Sequence, residues 1–337
     1  MKMSNDPPKV TMDPRFKAAR ALVQSGHSQD AVDMFATLVE ETIARYSETS
    51  LEAAVCYYEY GNALLRSIPA ADDSQEEVAN DAEKTGNGDQ QQQQHEHQQE
   101  ESKPAAADGK KSDENDESRT NAKREDSDTK VGLGREDFLL ALEMMENAYS
   151  IFEEKANLQP KNEWIQCQLP RVLQGLGDVL RELGRMSDAA DAYSRALPYR
   201  EEFVEKYNKE TDLTIEHLTN RRLLVEANIL VAEALLGCEH GKHVVTSETN
   251  DMLVTADERV DYARGYYEKA REELQDTVFL MGRIAASGGR AEELAPEKEN
   301  ICFAATLLMG VGETLATFDD EQEKSLQPPT KKVKTAL

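Results

Sequence analysis

Residues 173–197 read LQGLGDVLRELGRMSDAADAYSRAL, and this stretch decides the fold. Small residues at Gly177 and Ala189 stand where two helix backbones can approach closely, and Tyr193 is large enough to fill the space beside them. Gly184 falls between the two runs, where it would supply a turn. The spacing therefore predicts two antiparallel helices joined by a short connection.

The same spacing of small and large residues recurs along the chain and is that of the tetratricopeptide repeat (TPR). The chain has 18 glycines and 11 prolines in 337 residues, too few for a turn-rich β protein. We therefore predict an all-α TPR domain, residues 14–318, built as a helical solenoid of four hairpins and a C-terminal capping helix. The predicted units are TPR1 at 14–47, TPR2 at 51–68 and 135–155, TPR3 at 163–206, TPR4 at 221–280 and the capping helix at 297–318, between flexible ends at 1–13 and 319–337.

A long insertion, residues 69–134, interrupts the second unit. Between residues 71 and 130 the chain has 18 acidic and 8 basic side chains, no aromatic residue and a glutamine run at 90–94. A segment with so few apolar side chains cannot offset the entropy lost on ordering. The sequence therefore predicts a disordered acidic insertion.

Acidic residues outnumber basic ones by 65 to 39, which gives a formal net charge of −26. Such a surface repels nucleic acid and anionic membranes and attracts basic partners, so we expect neither direct nucleic-acid binding nor a membrane partner. The longest apolar run, residues 301–312, is short for a membrane span. The sequence has no nucleotide-binding loop, hydrolase elbow or zinc-protease motif, and we predict a protein that is not an enzyme and needs no cofactor.

A grouping with the spacing of metal ligands occurs at Cys238, His240 and His243. A fourth ligand is not evident nearby in the sequence, and the four cysteines of the chain are widely separated. We therefore predict no metal site.

Four TPR units with an acidic segment inside the second resemble the interrupted-repeat (SHNi-TPR) family of histone chaperones. The resemblance rests on Gly61 and Ala141, which are 80 positions apart, where the equivalent Gly177 and Ala189 are separated by 12. It implies a nuclear protein that binds core histones H3 and H4, shields their charge and delivers them for chromatin assembly together with other histone-handling proteins. Binding of linker histone and formation of a homodimer stay open.

Template positions that face the predicted concave groove include four carboxylates, which would suit a basic helix or extended segment. The acidic insertion would act as an arm that screens a basic partner. The alternatives are ordinary solvated helix faces and a passive loop. The candidate histone-binding residues are Tyr58, Asn62, Gln174, Asp178, Glu182, Glu226 and Glu233 in the groove, and Glu76, Glu77, Asp113, Glu114, Asp116 and Glu117 in the insertion.

The C-terminal sequence PPTKKVKTAL places Lys331, Lys332 and Lys334 after two prolines. In so acidic a chain, this basic cluster predicts a nuclear import signal. A chance basic tail is the alternative.

TPR co-chaperones or adaptors that bind the peptide tail of a large ATP-driven chaperone are the main alternative class. Their pattern needs a basic clamp, of which Asn62 and Arg171 match parts, whereas Arg20 stands where that pattern has an asparagine. Glu59, Asp178 and Glu226 would add negative charge that repels an acidic tail. A cargo-adaptor scaffold is a third class, which no residue beyond the repeats favours.

Overall fold

The computed structural model describes residues 7–68, 122–208, 214–238, 256–288 and 291–326. A short 3-10 helix, Lys9–Met12, precedes nine α-helices in this described part, which contains no strand. The α-helices are α1 (Pro14–Gln24), α2 (Ser28–Tyr46), α3 (Leu51–Ser67), α4 (Ala122–Leu158), α5 (Glu163–Glu182), α6 (Met186–Asn208), α7 (Ile215–Leu236), α8 (Ala256–Ala286) and α9 (Ala291–Leu326).

The helices pack mainly against their neighbours in the chain, as in a helical solenoid, and the predicted all-α fold class is confirmed. The chain divides into two compact units, residues 1–67 with 135–337 and residues 68–134. The hairpins of the first unit pair α1 with α2, α5 with α6, and α7 with α8. We refer to α1, α3, α5 and α7 as the first helices, and to α2, α4, α6 and α8 as the second helices.

Glycines in the left-handed region end two of the first helices. Gly184 has φ +72°, and the N–H of Arg185 donates to the carbonyl of Leu180 at 2.8 Å. Gly26 has φ +81° and follows α1 in the same way. Only glycine adopts this backbone region without a steric penalty, so the sequence fixes both turns between a first and a second helix.

Because glycine has no side chain, neighbouring helices approach closely at Gly177 and Gly61. A Cβ atom on Gly177 would lie less than 3 Å from several ring atoms of Tyr193. A Cβ atom on Gly61 would lie 3.1 Å from the carbonyl oxygen of Ala141 and 3.2 Å from Met145. These contacts bring α5 against α6 and α3 against α4, so α3 and α4 form a hairpin although 54 residues separate them.

Buried apolar side chains form two large clusters along the array. One covers α1 to α5 and includes Phe16 and Phe35, whose rings meet edge to face at 5.7 Å. The other continues from α3 to α9 and includes Tyr193 and Tyr266, both at most 2% exposed. Burial between neighbouring hairpins therefore supplies the core, as expected for repeats that cannot bury their apolar faces alone.

Several helices extend past their predicted bounds. Helix α7 begins at Ile215, six residues before 221, because Thr214 caps it by accepting from the N–H of His217 at 3.2 Å. Helix α4 begins at Ala122, so its first 13 residues belong to the stretch that the sequence assigns to the disordered insertion. Helix α9 runs on to Leu326, because residues 319–326 contain no glycine or proline to end it.

One described segment, Leu294–Asp319 of α9, is long and apolar enough to cross a membrane by length and composition alone. Only 28% of its most apolar window is buried, against α7 and α8. Phe303 and Met309 are more than 60% exposed on this helix. The expected absence of a membrane partner stays a prediction.

Candidate partner-binding face

A series of arginine–carboxylate pairs links each first helix to the next and continues to α9. The surface that carries these pairs is called the ladder face below. Its pairs are Arg20–Glu59 and Glu59–Arg171 across α1, α3 and α5, Arg181–Glu233 across α5 and α7, and Arg222–Glu297 across α7 and α9. The predicted groove residues all lie on α3, α5 and α7, among these pairs.

Glu59 is the centre of the first part of the ladder. Its side chain is only 7% exposed and lies 3.2 Å from Nε of Arg20 and 3.8 Å from Nη2 of Arg171. Burial raises the pKa of Glu59, and the two arginines oppose that effect. The carboxylate is therefore already matched by cations of the protein itself.

Arg222 and Glu297 form the most buried pair, with side chains 12% and 11% exposed and 2.8 Å between Nε and Oε2. Arg222 also bonds Glu226 on its own helix, and the hydroxyl of Thr219 donates to Glu297 at 3.0 Å. A buried charge that loses its partner is strongly destabilising. This network therefore holds α9 to α7.

Arg181 and Glu233 form a looser pair, 3.8 Å apart, with side chains 36% and 31% exposed. Arg181 also lies 3.7 Å from Glu182 of its own helix. Burial raises the pKa of Glu233, which Arg181 opposes. Partly exposed pairs of this kind contribute little to stability but remain free to exchange partners.

Asp178 is half-buried, and its carboxylate bonds within its own hairpin. It accepts a hydrogen bond from the hydroxyl of Tyr193 at 2.7 Å, and burial raises its pKa. Asp178 and Glu182 are spaced to share one helix face, but the structure gives them different environments, since Glu182 is exposed to solvent. The predicted carboxylate pair is therefore split between a structural role and a surface position.

The predicted polar residues of α3 also contact arginines. The guanidinium of Arg171 lies over the ring of Tyr58, 5.2 Å from its centroid. Asn62 accepts from Nε of Arg66 at 3.0 Å. Gln174 lies half-buried on α5. The ladder face thus differs from the acidic groove that the sequence predicts, because arginine neutralises most of its carboxylates.

Charge is divided unequally between the two sets of helices. Within their bounds, the first helices have formal charges of +3, −1, −1 and −1, which cancel. The second helices have −3, −4, −2 and −2, a total of −11. Exposed carboxylates on the second helices include Glu40, Glu143, Glu146, Glu201 and Glu272. Within their bounds, the second helices therefore hold −11 of the negative charge of the described helices, and α9 holds a further −7.

Other predicted site residues lie outside the described residues. They are Glu76, Glu77, Asp113, Glu114, Asp116 and Glu117 of the insertion, Lys331, Lys332 and Lys334 of the tail, and His240 and His243. Cys238 is described, and its thiol donates to the carbonyl of Ala234 at 3.2 Å inside the core. In the described ranges, no three His, Cys, Asp or Glu residues gather as a metal site would require.

Arg200 is the functional candidate that the sequence reasoning missed. It lies on α6, is 5% exposed, and its Nε atom has no hydrogen-bond partner among the residues that the structure describes. A signal for it exists in the sequence: Tyr193, Leu197 and Val204 form a buried stripe at helical spacing, and Arg200 interrupts that stripe.

A comparison with models of known protein families gives no match, and a comparison with curated proteins gives none either. The fold and the arrangement of charge therefore carry the functional argument.

Proposed function

We propose that this protein is a histone chaperone that binds core histones H3 and H4, shields their positive charge and delivers them for chromatin assembly. The observation that carries the proposal is the position of the negative charge. A scaffold of helical hairpins holds −11 on its second helices and −7 on α9, and residues 71–121, which precede α4, contribute a further −10. Such a molecule attracts strongly basic proteins and repels the DNA that competes for them.

The mechanism follows from electrostatics. Exposed carboxylates such as Glu143 and Glu146 act as counter-charges for lysine and arginine in place of DNA phosphates. Interactions between exposed charges are screened by salt, so this component of binding is fast and salt-sensitive. The ladder face contributes shape and alternating charge, which fixes the register of a bound helix or extended segment and is less affected by salt.

The proposal includes a nuclear location and exchange of histones with other histone-handling proteins. The basic cluster at Lys331, Lys332 and Lys334 supports nuclear import. Fusion of a fluorescent reporter to the chain, with and without Lys→Ala changes at these three positions, tests the location. An unchanged nuclear fraction would remove this part of the proposal.

Titration of purified H3–H4 against the full chain at several ionic strengths tests the function. We expect binding near physiological ionic strength, a steep loss of affinity with added salt, and release of the histones from a DNA duplex. Failure to bind H3–H4, together with capture of a neutral or acidic peptide, would reject the proposal.

Two double variants localise the salt-sensitive component. Glu143→Gln with Glu146→Gln removes two exposed charges from α4, and Glu299→Gln with Glu313→Gln removes two exposed charges from α9. Both change the net charge equally. We expect the α4 variant to reduce affinity for H3–H4 several-fold and to flatten its salt dependence, with a smaller effect from the α9 variant. Equal effects would show that total charge, and not its position on second helices, governs binding.

The alternative of a co-chaperone or adaptor that binds an acidic peptide tail has one observation in its favour, the arginines of the ladder face. Glu59 already engages two of them, Arg20 and Arg171. A fluorescent peptide with an acidic C-terminus, titrated in parallel with H3–H4, separates the two functions. Tighter binding of this peptide than of H3–H4 would favour the alternative.

A further inference from the structure

The side chain of Arg200 is buried, and no carboxylate of the described residues forms an ion pair with it. The residue is 5% exposed, and its Nε atom has neither a hydrogen-bond acceptor nor contact with solvent. Buried charges in folded proteins are normally paired, so an isolated one requires an explanation.

The position of Arg200 excludes a simple surface role. Tyr193, Leu197 and Val204 precede and follow it on the buried stripe of α6, each at most 4% exposed. A methionine or leucine there would continue the apolar stripe. The chain instead accepts a buried charge at a place where packing alone would favour an apolar side chain.

The charges that act on Arg200 come from the first helices. Burial, together with the charges of Arg171 and Arg222, lowers the pKa of Arg200 to about 10, although Glu226 opposes this shift. Arg200 therefore stays protonated at neutral pH. Glu226, the carboxylate that acts on it, is already bonded to Arg222. The region around α3, α5, α6 and α7 thus has uncompensated positive charge inside a strongly acidic protein.

We propose that Arg200, with Arg171 beside it, receives a carboxylate of the bound partner. A guanidinium presents donors in a planar fork that matches a carboxylate, and the bond is strongest where water is excluded. Arg171, whose charge acts on Arg200, is partly exposed and already stacked on Tyr58, so it can contribute a second donor. The carboxylate belongs to an aspartate or glutamate side chain or to a C-terminus.

This inference rests on the proposed function and adds to it a requirement on the partner. A basic segment binds through its cations to the exposed carboxylates of the scaffold, and one acidic group of the same segment enters the site of Arg200. The site therefore selects among basic proteins, because a uniformly cationic segment leaves Arg200 unpaired.

Arg200→Met gives the first test. Methionine has similar length and no charge, so we expect the melting temperature of the free protein to rise while affinity for H3–H4 falls about tenfold or more, which is the loss typical of a charge-assisted hydrogen bond. A merely structural arginine would lower the melting temperature instead. Arg185→Met is the matched control, since Arg185 is exposed and pairs only with Asp188 among the described residues.

A probe without histones separates the failure of this inference from the failure of the proposed function. Acetate is titrated while the Nε–H resonance of Arg200 is followed by NMR, with its assignment taken from the Arg200→Met spectrum. We expect a saturable shift with acetate and none with acetamide, its neutral analogue. A saturable acetate shift in a chain that ignores H3–H4 would retain the carboxylate site and reject the histone function.

Overlapping peptides of H3 and H4 identify the source of the carboxylate. Each peptide that binds is compared with its C-terminal amide and with versions that carry Gln or Asn for Glu or Asp. One of these changes should weaken binding of the peptide to the wild-type protein but leave its binding to Arg200→Met unchanged. Equal affinity of all versions, or unchanged binding of H3–H4 by Arg200→Met, would overturn the inference.

Discussion

The first and second helices of this array share one packing pattern but differ in how they use charge. The first helices are neutral in sum, and their arginines and carboxylates bond one another along the ladder face. The second helices have a net charge of −11. The difference teaches that net charge does not locate an acidic surface, because carboxylates paired inside the protein are unavailable to a partner.

Burial makes the two kinds of ion pair unequal in energy. Arg222 and Glu297 of the ladder face are 12% and 11% exposed, whereas Arg271 and Glu268 of α8 are 52% and 45% exposed. Losing one partner of a buried pair leaves an uncompensated charge, whereas an exposed charge is solvated by water. Single substitutions should therefore separate the two regions clearly.

The largest loss of stability is expected when a substitution removes Arg222 from the ladder face. Arg222→Met leaves Glu226 and Glu297 buried without their cation, and we expect a loss of about 3 kcal/mol in the free energy of unfolding, measured with urea. Arg271→Met is the control on the second helices and should cost less than about 1 kcal/mol. Equal losses would remove the energetic distinction between the two sets of helices.

A smaller effect is expected where a first helix meets a second helix. Gly177→Ala places a methyl group against the ring of Tyr193, and we expect a loss of about 2 kcal/mol in stability, because overpacking forces the helices apart. Gly265→Ala on α8 has open space at its Cβ and should stabilise the protein by about 0.5–1 kcal/mol. Thermal unfolding of both variants measures the contrast, and a stabilising Gly177→Ala would contradict the packing described here.

The smallest effect concerns the pH dependence of the ladder face. The pKa of Glu59 is raised above 4.5 by burial, so the folded state disfavours its ionised form. As the pH falls from neutral to 4.5, protonation of Glu59 relieves this penalty and stabilises the folded state relative to the unfolded one. Glu59→Gln lacks this gain. As the pH falls from neutral to 4.5, the free energy of unfolding of the wild type should therefore increase relative to that of Glu59→Gln.

Glu41 should change the stability of the protein with pH in the opposite direction from Glu59. Its bonds to Arg15 lower its pKa, so its stabilising contribution is complete above 4.5 and is lost as the pH falls through its folded-state pKa. Urea unfolding of Glu59→Gln and Glu41→Gln across the acidic range checks both directions. Parallel curves for the wild type and Glu59→Gln would contradict the assignment for Glu59.

Local features of the fold could be predicted from the sequence. The turn at Gly184 and the contact of Gly177 with Tyr193 depend on residues less than 20 positions apart and on steric rules that hold in any context. The spacing also placed Gly61 opposite Ala141, and the structure brings them into contact. Helix ends were less predictable. The hydroxyl of Thr214 caps α7 by accepting from the N–H of His217, but it does so only where the backbone of Thr214 is extended, which the sequence does not reveal.

The pairing of charges could not be predicted in the same way. Arg222 and Glu297 are 75 positions apart, and helical periodicity gives the face of each residue but not its partner across helices. The sequence therefore indicated carboxylates in the groove, and Arg181 beside them, but not which arginine each carboxylate bonds across helices. Arg200 was detectable in principle, since a charged residue interrupts an apolar stripe, but only the structure shows that its Nε has no partner among the described residues.

The bond between Arg222 and Glu297 also ties α9 to the array by charge as well as by apolar contact. An array held together by apolar contacts alone could lose its last helix and merely expose hydrophobic surface. Here, removal of α9 would take away Glu297, and Arg222 would keep only Glu226 of the two carboxylates that it bonds among the described residues. Gain or loss of a terminal helix during evolution would therefore require a compensating change at Arg222 itself.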